Sequence, residues 1–403
     1  MKINKNSILS FLYPIACLFI CILSSCSGFL GNKTDISFIA IPDYSVRAVA
    51  YVPIQPVISG YSDPSDICIG FDNLIYVVDK GTEEIISYNE SMVELGRLKI
   101  QGVTAVAQDR RLNLIALGTL DTTINNFSHT LTCIYRIALN NQVYGISSGT
   151  ITKKIVHPFY ISTGIKSSDN AVQFTGVAVL ADNSYYITRT GTSQTNLLGG
   201  PDDAILLFNN KDKYQYYLQV STQDEGVKLD YIKNPLGIAT FVAPPQSNSI
   251  RDRKDLMYIS NSPSDVLKVK VLSYTVVEDA PVYALDQSLV IGDTSKASGF
   301  LYTPRRFGSP SDIAFAGDGS QLVFITDKQK DSLYIFTNNG LEGVAPPTGS
   351  TSQKNIKVSF GGNGQSLTKF NMPSAVAYSE KIVYVADAGN HRILRFKLTT
   401  DFR

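Results

Sequence analysis

Residues equipped for chemistry are sparse in this chain of 403 residues. Its three histidines, His129, His157 and His391, fall in three separate neighbourhoods. No Cys-x-x-Cys or Cys/His cluster occurs, so the pattern of a structural zinc site is missing. Gly-x-Ser-x-Gly occurs once, at Gly145-Ile-Ser-Ser-Gly149, but no helical pattern follows it, so the strand–turn–helix context of a serine nucleophile is missing. Gly361-Gly-Asn-Gly364 is glycine-rich but precedes no helical pattern, so it lacks the helix N-terminus that cradles a phosphate. What does recur is a polar residue closing a short apolar run. Asp79 follows Leu74-Ile-Tyr-Val-Val78, Asp327 follows Leu322–Thr326 and Asp387 follows Ile382–Ala386. Arg189 and Asn261 close the corresponding runs Ser184–Thr188 and Leu256–Ser260. These five, Asp79, Arg189, Asn261, Asp327 and Asp387, are the candidate binding positions. Carboxylates converging from several units supply the oxygen ligands a divalent cation needs. An aspartate just before a turn is also a common Asx-turn residue, and on that reading these carboxylates hold the fold.

The elements that position them are short strands. The chain holds 22 Tyr and 19 Phe, and Val-, Ile- and Thr-rich runs alternate with Gly, Pro, Asn and Asp punctuation. Six units succeed one another. The first is Asp66–Gly70, Leu74–Asp79, Glu84–Tyr88 and Leu95–Ile100. Later units start at Val103, Thr175, Pro235, Ser309 and Phe370. Polar insertions at Leu120–Thr130, Thr190–Asp203 and Ala243–Asp255 read as surface loops, where rigid scaffolds usually keep recognition. No long amphipathic helical pattern intervenes, which argues against βαβ architecture. The sixth unit stops at Phe396-Lys-Leu398 with three strands. Its missing fourth strand is expected from Val46–Val52, because an unpaired edge would otherwise be exposed. His391 lies in a turn, and His129 and His157 read as solvated loop residues. Cys68 and Cys133 sit in apolar runs and read as small buried hydrophobes. Tyr185, Tyr186, Tyr214, Tyr216 and Tyr217 read as blade-packing residues, with glycan or peptide contact as the competing role.

The last unit is the most legible. Phe370-Asn-Met-Pro373, a valine-rich strand, Tyr384-Val-Ala-Asp387 and Asn390-His-Arg392 resemble one repeat of the NHL β-propeller family. The resemblance implies an all-β, six-bladed β-propeller of four-stranded antiparallel blades. It also implies that His391 serves the turn. Lyases on similar propellers use paired histidines or a metal at the channel mouth, and gluconolactonase-like ones bind a divalent metal with residues from different blades. That gives the alternative of a hydrolase or lyase with a metal near the channel. No cofactor, and no metal in the leading reading, is expected.

The N-terminus bears on location. Lys2 and Lys5 precede the apolar run Ile8–Leu23, which is short for a bilayer-spanning helix and suits a signal peptide over residues 1–25. Leu23-Ser-Ser-Cys26 resembles a bacterial lipobox, making Cys26 the expected lipid attachment site, with residues 26–35 as tether and 36–403 as one propeller domain. Ser27 after that cysteine resembles outer-membrane sorting. The formal charge of +1 becomes −1 when Lys2 and Lys5 leave (1 − 2), so nothing points to nucleic acid. The expectation is an envelope lipoprotein, membrane-held by its lipid, that presents a rigid platform to a protein or glycan partner.

Overall fold

The computed structural model describes residues 49–159, 167–191, 203–222, 226–228, 231–242, 244, 254–289 and 292–402. The expected signal peptide over residues 1–25, Cys26 and the expected tether lie outside them, as do most of the insertions at 190–203 and 243–255. Among the described residues no helix is long and apolar enough to cross a membrane.

Six large sheets succeed one another along the described chain, with a two-stranded pair, Asn140–Asn141 and Val143–Tyr144, beside them. Blade one is Pro64–Ile69, Ile75–Asp79, Glu84–Tyr88 and Glu94–Lys99. Each blade repeats this up-and-down order, starting with an inner strand: Ala105–Gln108, Gln173–Val179, Pro235–Thr240, Pro310–Phe315 and Pro373–Ser379 in blades two to six. Each inner strand touches the inner strands of the two neighbouring blades, and the sixth touches the first, so the ring is closed. The fold is a six-bladed β-propeller.

The second strands explain why the sequence shows continuous apolar runs rather than alternation. Ile75–Asp79 and Leu322–Asp327 are buried at every position, because neighbouring blades cover both faces of the sheet. The outer strand Glu94–Lys99 is largely exposed and correspondingly charged. Six apolar clusters fill the six gaps between blades. The gap between blades five and six, for example, contains Phe324, Phe370, Phe396 and Tyr378. Burying each such ring contributes about 1.5–3 kcal/mol.

The N-terminal closing strand is present but displaced. Tyr51–Ser59, not Val46–Val52, pairs antiparallel with Arg392–Leu398, running from Tyr51 opposite Leu398 to Ser59 opposite Arg392. Residues 46–48 lie outside the described part. The displaced strand contains Pro53 and Pro56, which lack an N–H; as the outermost strand of its blade it has one edge that needs no donors.

Blade two keeps four strands but lengthens two of them, and blade four departs from the four-strand plan. Leu120–Thr130 is no loop: it belongs to a ribbon, Leu114–Ile124 paired with Phe127–Ala138, that turns at Asn125-Asn126. Both asparagines are left-handed (φ 51° and 66°), as a type I′ hairpin turn requires. Blade four has six strands, since Val220–Thr222 joins Ala280–Leu285 in parallel and carries Gly226–Lys228 outside it. Its third strand spans Val269–Val277 and is longer than the sequence pattern indicates.

Candidate functional site

The strand-closing carboxylates do not reach the axis. Asp79 is 2% exposed and accepts bonds from the Ser62 and Asp63 amides, both at 2.8 Å, and from that of Gly81 at 3.2 Å. Asp327 accepts from four amides, those of Gly308, Ser309, Gln329 and Lys330, at 2.6–3.0 Å. Asp387 takes the Asn371 amide at 2.7 Å, Asn390 Nδ2 at 2.8 Å and Arg392 Nε at 2.8 Å. Each carboxylate thus pins the segment entering its blade to the end of the second strand. Arg189 is fully buried opposite Phe174 and Ala204 in blade three. In blade four the register puts Ser260, not Asn261, at the equivalent place, since Pro235 faces Ser260 as Pro64 faces Asp79. Ser260 Oγ donates to Lys233 O at 2.7 Å. The five candidates are therefore spread through separate blades rather than gathered, and none lines the central channel.

That channel is a cavity of about 190 Å³ between the six inner strands. Near one end, hydroxyls step from blade to blade around it. Ser65 Oγ donates to Thr104 O (3.1 Å), Thr104 Oγ1 to Phe174 O (3.4 Å) and Thr175 Oγ1 to Pro235 O (2.8 Å). Ser311 Oγ donates to Pro373 O (2.7 Å), and Ser374 Oγ to Pro64 O (2.5 Å), which joins the last blade to the first. The step from blade four to blade five lacks the bond, because Leu236 occupies that position and packs into the apolar cluster between them.

Two carboxyls stand next to this ring of hydroxyls. Asp66 accepts from its neighbour Ile67 N and, across the blade boundary, from Val106 N, both at 2.8 Å. Asp312 likewise accepts from Val376 N of blade six at 2.9 Å. Both are half-buried, because they line the channel while protein surrounds them on the other sides. Desolvation pushes Asp66 up to about 6, with its two backbone bonds opposing. Desolvation and then the charge of Asp66 hold Asp312 well above the ordinary carboxylate range. The pair therefore resists being doubly ionised near neutrality. The sequence carries a signal for both that lies away from the strand ends: Pro64-Ser-Asp66 and Pro310-Ser-Asp312 open the inner strands of units one and five. At the opposite end, Gln108 Nε2 and Tyr76 OH each donate to Asp72 Oδ2 at 2.7 Å.

The remaining sequence candidates fall outside the channel. His391 is the left-handed residue capping the turn Ala388–Asn390, and its Nδ1 lies 2.8 Å from Ser62 O of blade one. His129 is on the blade-two ribbon, 3.2 Å from Asn170 Oδ1. His157 is not a solvated loop residue. It is 0% exposed, edge-on to Phe159 and Phe174, and burial with the nearby Arg189 charge pulls its pKa down to about 3. Phe159 and Phe174 pack against it, and the apolar run Ile155-Val-His-Pro-Phe159 is the sequence signal that could have placed it indoors. Cys68 and Cys133 are both free thiols, half-buried and buried respectively. Tyr185 and Tyr186 are fully buried between blades; Tyr214, Tyr216 and Tyr217 are half-buried on blade three's outer strand.

Residues 370–396 match the family model for the NHL repeat. No curated protein sequence matches the chain. Among solved structures, a luciferin-regenerating enzyme is 11% identical, with 86% of this chain and 95% of that one covered at a TM-score of 0.51. The PQQ-bound aldose sugar dehydrogenase of Streptomyces coelicolor is 12% identical, covering 87% and 98% at 0.48. A gluconolactonase from Xanthomonas campestris is 9% identical, covering 88% and 99% at 0.46. At such identities the likeness is one of fold. The protein is a six-bladed β-propeller whose sixth blade matches the NHL-repeat model over residues 370–396.

Proposed function

We propose that the protein is a lipid-anchored binding platform of the bacterial envelope. Its first contact is a protein partner gripped by the blade-two ribbon. The observation that carries this reading is the ribbon's tip, where Phe127 is 71% exposed at the end of a braced hairpin. Asp121 accepts from Thr130 Oγ1 at 2.6 Å and from Gln101 Nε2 at 2.8 Å, fixing the base of the projection. An exposed aromatic on a rigid element is a favourable anchor, because little side-chain entropy remains to be lost on binding. The lipobox-like Leu23–Cys26 supports attachment through Cys26 and an outer-membrane address. The test is affinity capture from native envelopes with the full-length chain. A partner recovered by the parent and lost by Phe127→Asp, with an unchanged melting temperature, supports the reading; equal recovery removes it.

The paired carboxyls favour a second reading, a hydrolase or lyase working in the channel. A carboxyl kept protonated near neutrality can serve as a general acid. A divalent metal does not fit there, since the channel offers two carboxyls already bonded to amides. Among the described residues no group of three or more His, Cys, Asp or Glu side chains is placed to hold one. Turnover of a lactone and glycoside panel that disappears in Asp66→Asn and Asp312→Asn would favour this reading. An inert parent protein would end it.

A further inference from the structure

We propose that the propeller rests on the lipid bilayer through the face at which its inner strands end, by blades six, one and two. The inference rests on the proposed anchoring at Cys26 and adds to it which side of the disc the membrane meets.

Antiparallel order decides what shares that face. In each blade the third strand runs the same way as the first, so the ends of both, and the turns that follow them, lie on one side of the disc. The chain enters the propeller there. Ala50 N donates to Thr399 Oγ1 at 3.2 Å and Ala50 O accepts from Thr399 N at 2.9 Å, just past the end of blade six's third strand, Arg392–Leu398. Lys381, in the turn after the inner strand of the same blade, pairs with Asp401 at 2.9 Å, which brings the two strand ends together. Cys26 stands 23 residues before Val49 (49 − 26), a reach of at most about 80 Å that starts from this side.

Large apolar side chains stand in solvent on the same side. Val93 (57% exposed) follows blade one's third strand, Val143 (69%) lies in the hairpin after blade two's, and Phe402 (52%) follows blade six's. Tyr144, next to Val143, donates its hydroxyl to Asp72 of blade one, which fixes that hairpin against its neighbour. The three are spread over adjacent blades rather than gathered in a groove, and a flat, extended surface can meet all of them at once. Lys397 Nζ lies 5.5 Å over the Phe402 ring, and the exposed Arg110 lies 5.6 Å over Phe71, so cations stand beside apolar rings as at a headgroup boundary. The exposed acids Glu90 and Glu380 offset these charges, so the attraction is apolar and needs no anionic lipid. Blade four's hairpin ends on this side too, but Glu278 and Asp279 at its tip, beside Val276 and Val277, keep that sector in water. Few side chains suffice, because a lipid on Cys26 makes the second contact intramolecular. The blade-two ribbon extends from the end of a second strand, on the opposite side, and so presents Phe127 away from the membrane.

The chain contains no tryptophan, so one substitution at a time places a single reporter. The lipidated full-length protein is reconstituted into phosphatidylcholine vesicles whose acyl chains are either plain or brominated. Emission of Phe402→Trp and Val143→Trp should fall about twofold or more on bromination, since a side chain roughly 5–10 Å into the boundary meets the bromines, and that of Phe127→Trp should not change. Val93→Trp should be quenched as well, and should escape quenching when Phe402→Asp and Val143→Asp are added while the protein still floats with the vesicles. Flotation without quenching of Phe402→Trp and Val143→Trp overturns the proposal and leaves the anchor standing; equal quenching of Phe127→Trp overturns it too. Shielding of Phe402→Trp from acrylamide in native envelopes but not in vesicles would assign the face to a protein partner and overturns it likewise. A chain that carries no lipid on Cys26 by mass spectrometry and does not float removes the anchor and this proposal together.

Discussion

At the scale of single residues, the aspartates of this propeller divide into two kinds that the sequence does not separate. Asp79, Asp327 and Asp387 end second strands and spend their oxygens on backbone amides and, in blade six, on side chains of their own turn. Asp66 and Asp312 open inner strands and line the channel. Alternation fails as a guide because each of these inner strands slips register at its start, between Pro64 and Asp66 and between Pro310 and Asp312, so counting by twos from the proline puts every later side chain on the wrong face. The two kinds should respond oppositely to mutation. Asp327→Ala orphans four amides, and its unfolding free energy should fall by about 2–4 kcal/mol in a denaturant titration. Asp312→Asn should stabilise at high pH instead. A carboxyl whose folded pKa is raised binds more protons in the native state between its unfolded and folded values, so its contribution is full below the unfolded value and lost as pH rises through the folded one. For Asp66 that window runs from 3.8 to about 6. Melting of Asp312→Asn should therefore exceed the parent by about 2 °C at pH 8, with the gap closing toward pH 4. His157, with its depressed pKa, has the reverse slope and is common to both proteins, so the difference at each pH isolates the carboxyls. A constant offset across that range would contradict the assignment.

At the scale of elements, apolar runs locate the starts of second strands to within two residues, because burial on both faces leaves no polar position to confuse them; blade two's runs on from the expected Leu117 to Ile124. The displaced elements are those facing solvent. The prolines of Tyr51–Ser59 disguise it as a non-strand, although an outermost strand tolerates them, and the blade-two ribbon reads as a loop because Thr, Asp and Asn dominate it. Threonine is nonetheless a good strand residue, and Asn-Asn is suited to a hairpin turn. The closing strand also covers an edge made of Arg392–Leu398, whose Ile393, Leu394 and Phe396 are fully buried. A chain starting at Gly60 should melt about 10 °C below one starting at Val49 and should aggregate on warming, because that edge is then open to pairing. Light scattering during a thermal scan reads both, and coincident curves would show that the strand is dispensable.

At the scale of the whole molecule, the count of six blades is legible because each unit announces its second strand, whereas the channel is not, because its lining depends on which strand ends meet around an axis. Ring closure rests on two devices at different radii. On the outside, Tyr51–Ser59 completes blade six with backbone bonds; on the inside, Ser374 Oγ ties blade six to Pro64 O of blade one. If the ring is one cooperative body, these two cannot act independently, since opening the seam between first and last blades breaks the inner bond and removing the strand weakens the blade that carries it. Ser374→Ala alone should cost about 1 kcal/mol. Combined with deletion of Tyr51–Ser59, its effect should depart from additivity by more than about 0.5 kcal/mol. Thr175→Ala, which removes the corresponding bond between blades three and four, lies away from the seam and should add to the same deletion without coupling. A double-mutant cycle by urea unfolding measures both pairs. Equal coupling for Ser374 and Thr175 would mean that the seam is no different from any other blade boundary, and that closure is spread evenly around the ring.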